Sequence, residues 1–123
     1  MKNYIHLIGR ILLAIIFILS GALKIKDQSG TISYMAIGGV PAILLWPTIA
    51  VELLGGLALA FGFQTRLAAF ALAIFTIAAA VLFHTNFADP GQIANFLKNF
   101  SMAGGLLLLV ASGSTGLSVD TRK

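Results

Sequence analysis

Residues 67–83 read LAAFALAIFTIAAAVLF, an apolar run without one charged side chain. A helix rises about 1.5 Å per residue, so a run of this length crosses most of a ~30 Å hydrocarbon core. Three similar runs flank it, at 4–22, 42–63 and 96–111; the first is YIHLIGRILLAIIFILSGA, the second carries one acid, Glu52, and the fourth starts beside Lys98. Strands of a membrane barrel would be near ten residues long and would alternate polar with apolar, which these runs do not. The expected fold is all-α, an integral membrane antiparallel four-helix bundle, with residues 1–123 forming a single transmembrane domain.

Composition agrees. The chain is 59% hydrophobic and 10% charged with a mean hydropathy of +0.99, too few charges to cover a water-facing surface. The principal partner is therefore the lipid bilayer. Lys2 ahead of an apolar run ending in Ser20, Gly21 and Ala22 has the outline of a signal peptide, but three further spans favour a start-transfer helix that stays attached. With no cysteine, disulfides, thiolate metal sites and dithiol redox centres are excluded. Only two histidines exist, assigned to opposite membrane faces, so no metal site is expected. No basic cluster with interleaved aromatics suggests nucleic acid, and the net charge of +4 bears instead on orientation. Lys2, Arg10, Arg66, Arg122 and Lys123 fall on the side of the termini, against Lys24, Lys26 and Lys98 on the other. The positive-inside rule then puts both termini in the cytoplasm.

The connections differ in kind. The link 63–67 is a tight turn that makes the second and third spans antiparallel neighbours. The stretch 24–41, KIKDQSGTISYMAIGGVP, offers Ile32, Met35 and Ile37 for a short interfacial turn before Gly38, Gly39 and Pro41 break it. Asp89-Pro90-Gly91 marks a turn ahead of the fourth span. Gly56-x-x-x-Ala60, Ala69-x-x-x-Ala73 and Gly104-Gly105 are expected to pack helices together.

Ionisable groups at membrane depth carry the functional expectation, since a charge at mid-bilayer costs ~2.5–3.5 kcal/mol even on lenient insertion scales. Glu52 lies halfway along its span and must be protonated or paired. Arg10 reaches either the headgroups or Glu52. His6, Arg10, Phe17, Gly21 and Lys24 fall within about a 60° arc of one helix, a face expected to look into the bundle. Arg66 and His84 share a stripe of the third span, and His84 emerges at the level of Lys24, Lys98 and Asn99. That cluster could bind an anion, a quinone carbonyl or a partner's carboxylate, and His84 could pass protons near neutral pH.

The blocks GRILLAIIFILSGALKI, VELLGGLALAFGFQTRLAA, FH, NFLKNFSMAGGLLLL and GLSVD, in this order, resemble the DoxX family of small four-helix bacterial inner-membrane proteins. The resemblance marks Arg10, Ser20, Gly21, Lys24, Glu52, Gly55, Gly56, Arg66, His84, Asn95, Phe96, Lys98 and Asn99, and in the tail Ser118 and Asp120. The chain departs from the family pattern at Thr115, where a glycine is usual, and at Gly116, where a basic residue is usual. The resemblance implies an accessory subunit of a quinone-linked or oxidative-stress membrane redox system, with a membrane redox protein as partner. No cofactor is then held by the chain alone, a quinone being the candidate, and a homo-oligomer is a further expectation. In that reading Glu52 and His84 are the candidate catalytic groups, relaying protons or holding a quinone headgroup. Arg10 compensates Glu52, and Arg10, Ser20, Lys24, Lys98 and Asn99 are the residues expected to bind ligand or partner. A non-catalytic scaffold or chaperone-like module stays open, as does a small permease, although the latter lacks a polar lower pore.

Overall fold

A computed structural model describes residues 2–114 and 117–120 of the chain. Thr115, Gly116, Arg122 and Lys123 lie outside the described residues. Among the described residues five α-helices follow in order: α1 (Lys2–Lys26), α2 (Gln28–Ile37), α3 (Leu45–Phe61), α4 (Thr65–Phe83) and α5 (Pro90–Ser112). A single 3-10 turn, Ala42–Leu44, leads into α3, and no strand occurs among the described residues. Four segments, Lys2–Lys26, Ala42–Phe61, Thr65–Phe83 and Pro90–Ser112, are long and apolar enough to span a bilayer. Their outer faces are correspondingly greasy. On α1 the exposed side chains include Ile5, Ile8, Leu12, Leu19 and Leu23, which in water would be an untenable surface and in lipid is the expected one. The chain is an all-α integral membrane protein, an antiparallel four-helix bundle.

Helix ends explain where the spans start and stop. The helices run past the first and fourth apolar runs, because hydropathy fades before the helix does: α1 runs on to Lys26 and α5 begins at Pro90. Asp89 caps α5, its carboxylate accepting the Gly91 N–H at 2.9 Å, and Pro90 sits in the first turn, where its missing N–H costs nothing. Asp27 caps α2 in the same manner through the Gly30 N–H at 3.1 Å. The stretch expected as a brief interfacial turn is therefore a ten-residue helix. It packs Met35 onto Leu45 and Ile49 and stacks Tyr34 on Phe83 with ring centroids 4.7 Å apart.

The α3–α4 turn is tight, as its length requires. Gly62 takes the left-handed conformation (φ 70°) that ends α3, and Phe63 N–H returns to Ala58 O at 2.8 Å. Gln64 is also left-handed (φ 46°), an uncommon state for a residue with a Cβ. The closest helix pairs are nevertheless α1 with α3 and α4 with α5; α3 and α4 meet less extensively, and α1 barely touches α5. Ala14, Phe17, Leu59, Ala69, Leu72 and Leu106 form the central core. The α1–α3 pair is close because glycines allow it. A Cβ on Gly21 would lie 2.6 Å from Leu53 Cγ, and one on Gly56 would lie 2.8 Å from Ile18 Cγ1. Gly104 behaves otherwise: nothing lies within 4 Å of where its Cβ would be, so it packs against no helix of this chain.

Candidate functional site

The polar residues of the spans separate into two groups at opposite ends of the bundle. The first gathers at the end that holds the α3–α4 turn. Arg10, only 1% exposed, donates from Nη2 to the Leu117 carbonyl at 2.8 Å and from Nη1 to Ser114 Oγ at 3.3 Å. Residues 117–120 fold back beneath the bundle, where Val119 N–H donates to Phe61 O and Asp120 N–H to Gly62 O. Asp120 then supplies the cap that Gln64 does not. Its two carboxylate oxygens accept the N–H groups of Gln64 (2.7 Å) and Thr65 (2.9 Å) at the start of α4. Burial pushes the Asp120 carboxyl up, but the Thr65 hydroxyl, the two amides and the Arg10 charge together outweigh it and hold the group below its ordinary value. Thr65 and Ser114 also share a hydrogen bond between their hydroxyls. Arg66 stays at the exposed edge, its Nη2 donating to Ser112 O at 3.4 Å. Arg10 therefore does not compensate Glu52. It shares a face of α1 with Lys24, as the periodicity requires, but lies about four turns away along it.

The second group surrounds a cavity of about 330 Å³ in the other half of the bundle. Glu52, 3% exposed, enters it from α3, and Lys24 from the last turn of α1. Lys24 Nζ lies 2.6 Å from Glu52 Oε1. The expected pairing of Glu52 thus exists, with Lys24 as its partner. An unpaired carboxylate at this depth would be costly, and the lysine's four-carbon stem lets its ammonium reach inward from the helix end. Ser20 lines the cavity one turn before Lys24, on the same face.

α4 and α5 complete the wall. Asn99 on α5 also lines the cavity, with Nδ2 donating to the Thr76 carbonyl at 3.2 Å. The Thr76 hydroxyl is buried and has no hydrogen-bond partner among the described residues. His84, just beyond α4, stands at the cavity with Nδ1 hydrogen bonded to Gln92 Oε1 at 2.9 Å. An amide oxygen only accepts, so the Nδ1 carries a proton, and Nε2 is an acceptor whenever the ring is neutral. The remaining wall is mainly apolar, with Phe17, Phe75 and Phe83 among it. α2 forms the roof through Thr31, Tyr34 and Met35. Burial pushes the Tyr34 phenol up, so it remains a neutral hydroxyl at physiological pH. Lys98 is exposed on α5 and does not line the cavity.

Of the sequence-predicted residues, Glu52, His84, Ser20, Lys24 and Asn99 come together, while Arg10 and Lys98 lie elsewhere. Sequence reasoning gave no site role to Thr76, Tyr34 or Gln92. A threonine inside a helix costs little in lipid because its hydroxyl normally bonds to its own backbone, so nothing in the sequence singled out Thr76. Among the described residues no three histidine, aspartate or glutamate side chains gather as metal ligands.

Residues 5–85 match the DoxX family, a span that runs from the start of α1 to just past His84. The chain belongs to the DoxX family. Among its relatives is the inner membrane protein YqjF of Escherichia coli (strain K12), 45% identical over 114 residues, which are 93% of this chain and 88% of that protein. The inner membrane protein YphA of the same strain is 37% identical over 123 residues, covering 94% and 88%. A third, named putative oxidoreductase CatD, of Bacillus subtilis (strain 168), is 32% identical over 118 residues, covering 93% and 83%. No solved structure matches the chain.

Proposed function

We propose that this DoxX protein is an accessory subunit of a quinone-linked or oxidative-stress redox system of the bacterial inner membrane, with both termini in the cytoplasm. The observation that carries the reading is the Lys24–Glu52 pair, an ion pair held at 2.6 Å inside a cavity whose wall is mostly apolar. Buried charges of this kind are expensive and mark sites in membrane proteins. The B. subtilis relative's name, putative oxidoreductase, points the same way. The inner membrane reading is supported by the names of both E. coli relatives. Five Lys and Arg residues assigned to the side of the termini, against three on the other, support a cytoplasmic face there.

A quinone carries two electrons and two protons through the bilayer. Lys24 and the unpartnered Thr76 hydroxyl are the groups suited to donate to a ring oxygen, and Glu52 and His84 to hold its protons. Phe17, Phe75 and Phe83 suit the flat ring. In this reading a redox partner supplies the electron carrier, since the chain has no cysteine for a dithiol or thiolate-held centre.

The test is to purify the chain from its host in mild detergent, extract it for quinones, and measure quinone-linked respiration and survival of oxidative stress in a Glu52→Gln strain. Co-purifying quinone, lost in the Lys24→Met/Glu52→Met double variant, together with impaired respiration or survival is the expected result. Absence of quinone from the wild type with normal physiology in the variant would sink the proposal.

A further inference from the structure

The cavity presents hydrogen-bond donors and acceptors side by side. Three residues each commit one donor inside the protein: Lys24 Nζ pairs with Glu52, Asn99 Nδ2 donates to the Thr76 carbonyl, and His84 Nδ1 to Gln92. They still offer a ligand the further N–H groups of Lys24 and Asn99 as donors and, as acceptors, the unused lone pairs of the Glu52 carboxylate, Asn99 Oδ1 and the Nε2 of a neutral His84. The Thr76 hydroxyl, which can do either, has no partner among the described residues. An acceptor facing an apolar cavity with nothing donating to it forfeits the hydrogen bonds it had in water.

Charge gives a second constraint. Lys24 and Glu52 cancel, so the cavity has no net charge to offer. An anion could bind Lys24 only by separating it from a carboxylate that would then stand unpaired in a low dielectric. The ligand is therefore neutral. The cavity also reaches the lipid-facing surface at depth. Ile16, near the middle of α1 and about half-exposed, is part of its lining, and α1 and α5 hardly meet. A volume of about 330 Å³ is at the small end for a ligand pocket and suits one ring with a tail left in the bilayer.

Resting on the reading of this cavity as a site for ring oxygens, we infer that it selects the reduced partner: a neutral, bilayer-dissolved hydroquinone or phenol whose ring hydroxyl donates to Glu52. A hydroxyl oxygen can accept from Lys24 while its proton is given to the carboxylate. A quinone carbonyl can only accept, and leaves Glu52, Asn99 and His84 unanswered.

The experiment uses the full chain in lipid nanodiscs under anaerobic, reducing or oxidising conditions, with three probes sharing one apolar body. They are a decyl-benzohydroquinone, the matching decyl-benzoquinone, and the dimethyl ether of the hydroquinone. We expect the hydroquinone to bind at least tenfold tighter than either of the others. In the Lys24→Met/Glu52→Met variant, which keeps the cavity neutral and filled, the preference should fall below threefold; an unchanged melting temperature shows the fold is intact. Asn99→Leu, which leaves the ion pair in place, should narrow the preference as well. Asp120→Asn, at the opposite end, should leave it unchanged. Quinone binding as tight as hydroquinone overturns the inference while leaving the quinone reading standing, as does a preference that survives the double variant. If none of the three probes binds, both fall.

Discussion

Replacing Lys24 by methionine would strand a carboxylate in the bundle. Removing one member of a buried pair typically costs about 3–5 kcal/mol, whereas replacing both with apolar groups is often neutral or better. We expect Lys24→Met to lower the melting temperature in detergent clearly, and Lys24→Met/Glu52→Met to restore most of it; the coupling between the two is read from the double-mutant cycle. Asp120 offers a pH test at the other end. Its folded carboxyl gives up its proton more readily than the unfolded chain's, so the unfolded state binds more protons in that window and stability rises with pH there. The contribution is complete above the ordinary carboxylate value and fades as pH falls below about 4. Asp120→Asn, which keeps one acceptor and loses the charge, should flatten this acid limb and cost about 0.5–2 kcal/mol, as for a lost helix cap. Chemical denaturation followed across pH measures both. At this scale the sequence was legible where charge met hydropathy: Glu52 and Lys24 are too expensive in lipid to be incidental. Which cation took Glu52 was not legible, because Arg10 and Lys24 share one face of α1 and only depth along the helix separates them.

Helix against helix, the decisive residues are small. At Gly56 even a methyl group would press on Ile18 and on Phe17 Cβ, the latter 3.2 Å away, with the Ile18 backbone nitrogen equally close. Gly56→Ala should therefore loosen the α1–α3 pair by about 1–3 kcal/mol, the usual cost of overpacking. Gly104→Ala, in open space, should cost nothing, and thermal unfolding of the two variants side by side decides the matter. Spacing alone treated these glycines alike, since it registers small residues but not what faces them. The α3–α4 turn shows the same gap: its length correctly made those helices neighbours, yet the more intimate partners are α1 with α3, joined through α2. Nor did periodicity announce α2. Ten residues with no charged side chain between Gln28 and Ile37 give little amphipathic contrast, and the helix is settled by the Asp27 cap and by Met35 and Tyr34 finding partners elsewhere.

Across the whole molecule the two polar centres divide the labour. One end is closed by the returning tail, with Arg10 and Asp120 knitting α1, α3 and α4 to it; the other holds the cavity beneath α2. The division predicts independence: removing the tail contact by Asp120→Asn should lower stability without touching ligand binding, and the Lys24–Glu52 double replacement should do the reverse. Four spans and their order were readable from hydropathy alone, because a bilayer permits few alternatives. The cavity was not, since its shape depends on how far α1 stands from α5, a distance no linear pattern encodes.

The clasp between Arg10 and Leu117 also sets a schedule for biogenesis. The two partners are 107 residues apart, so the first helix enters the bilayer long before the carbonyl that satisfies its guanidinium has been synthesised. Until then Arg10 has to remain at the headgroups or lean on the insertion machinery. The first span can settle at its final depth only after the other three are in place, which makes assembly of this bundle post-insertional and sensitive to anything that delays the tail.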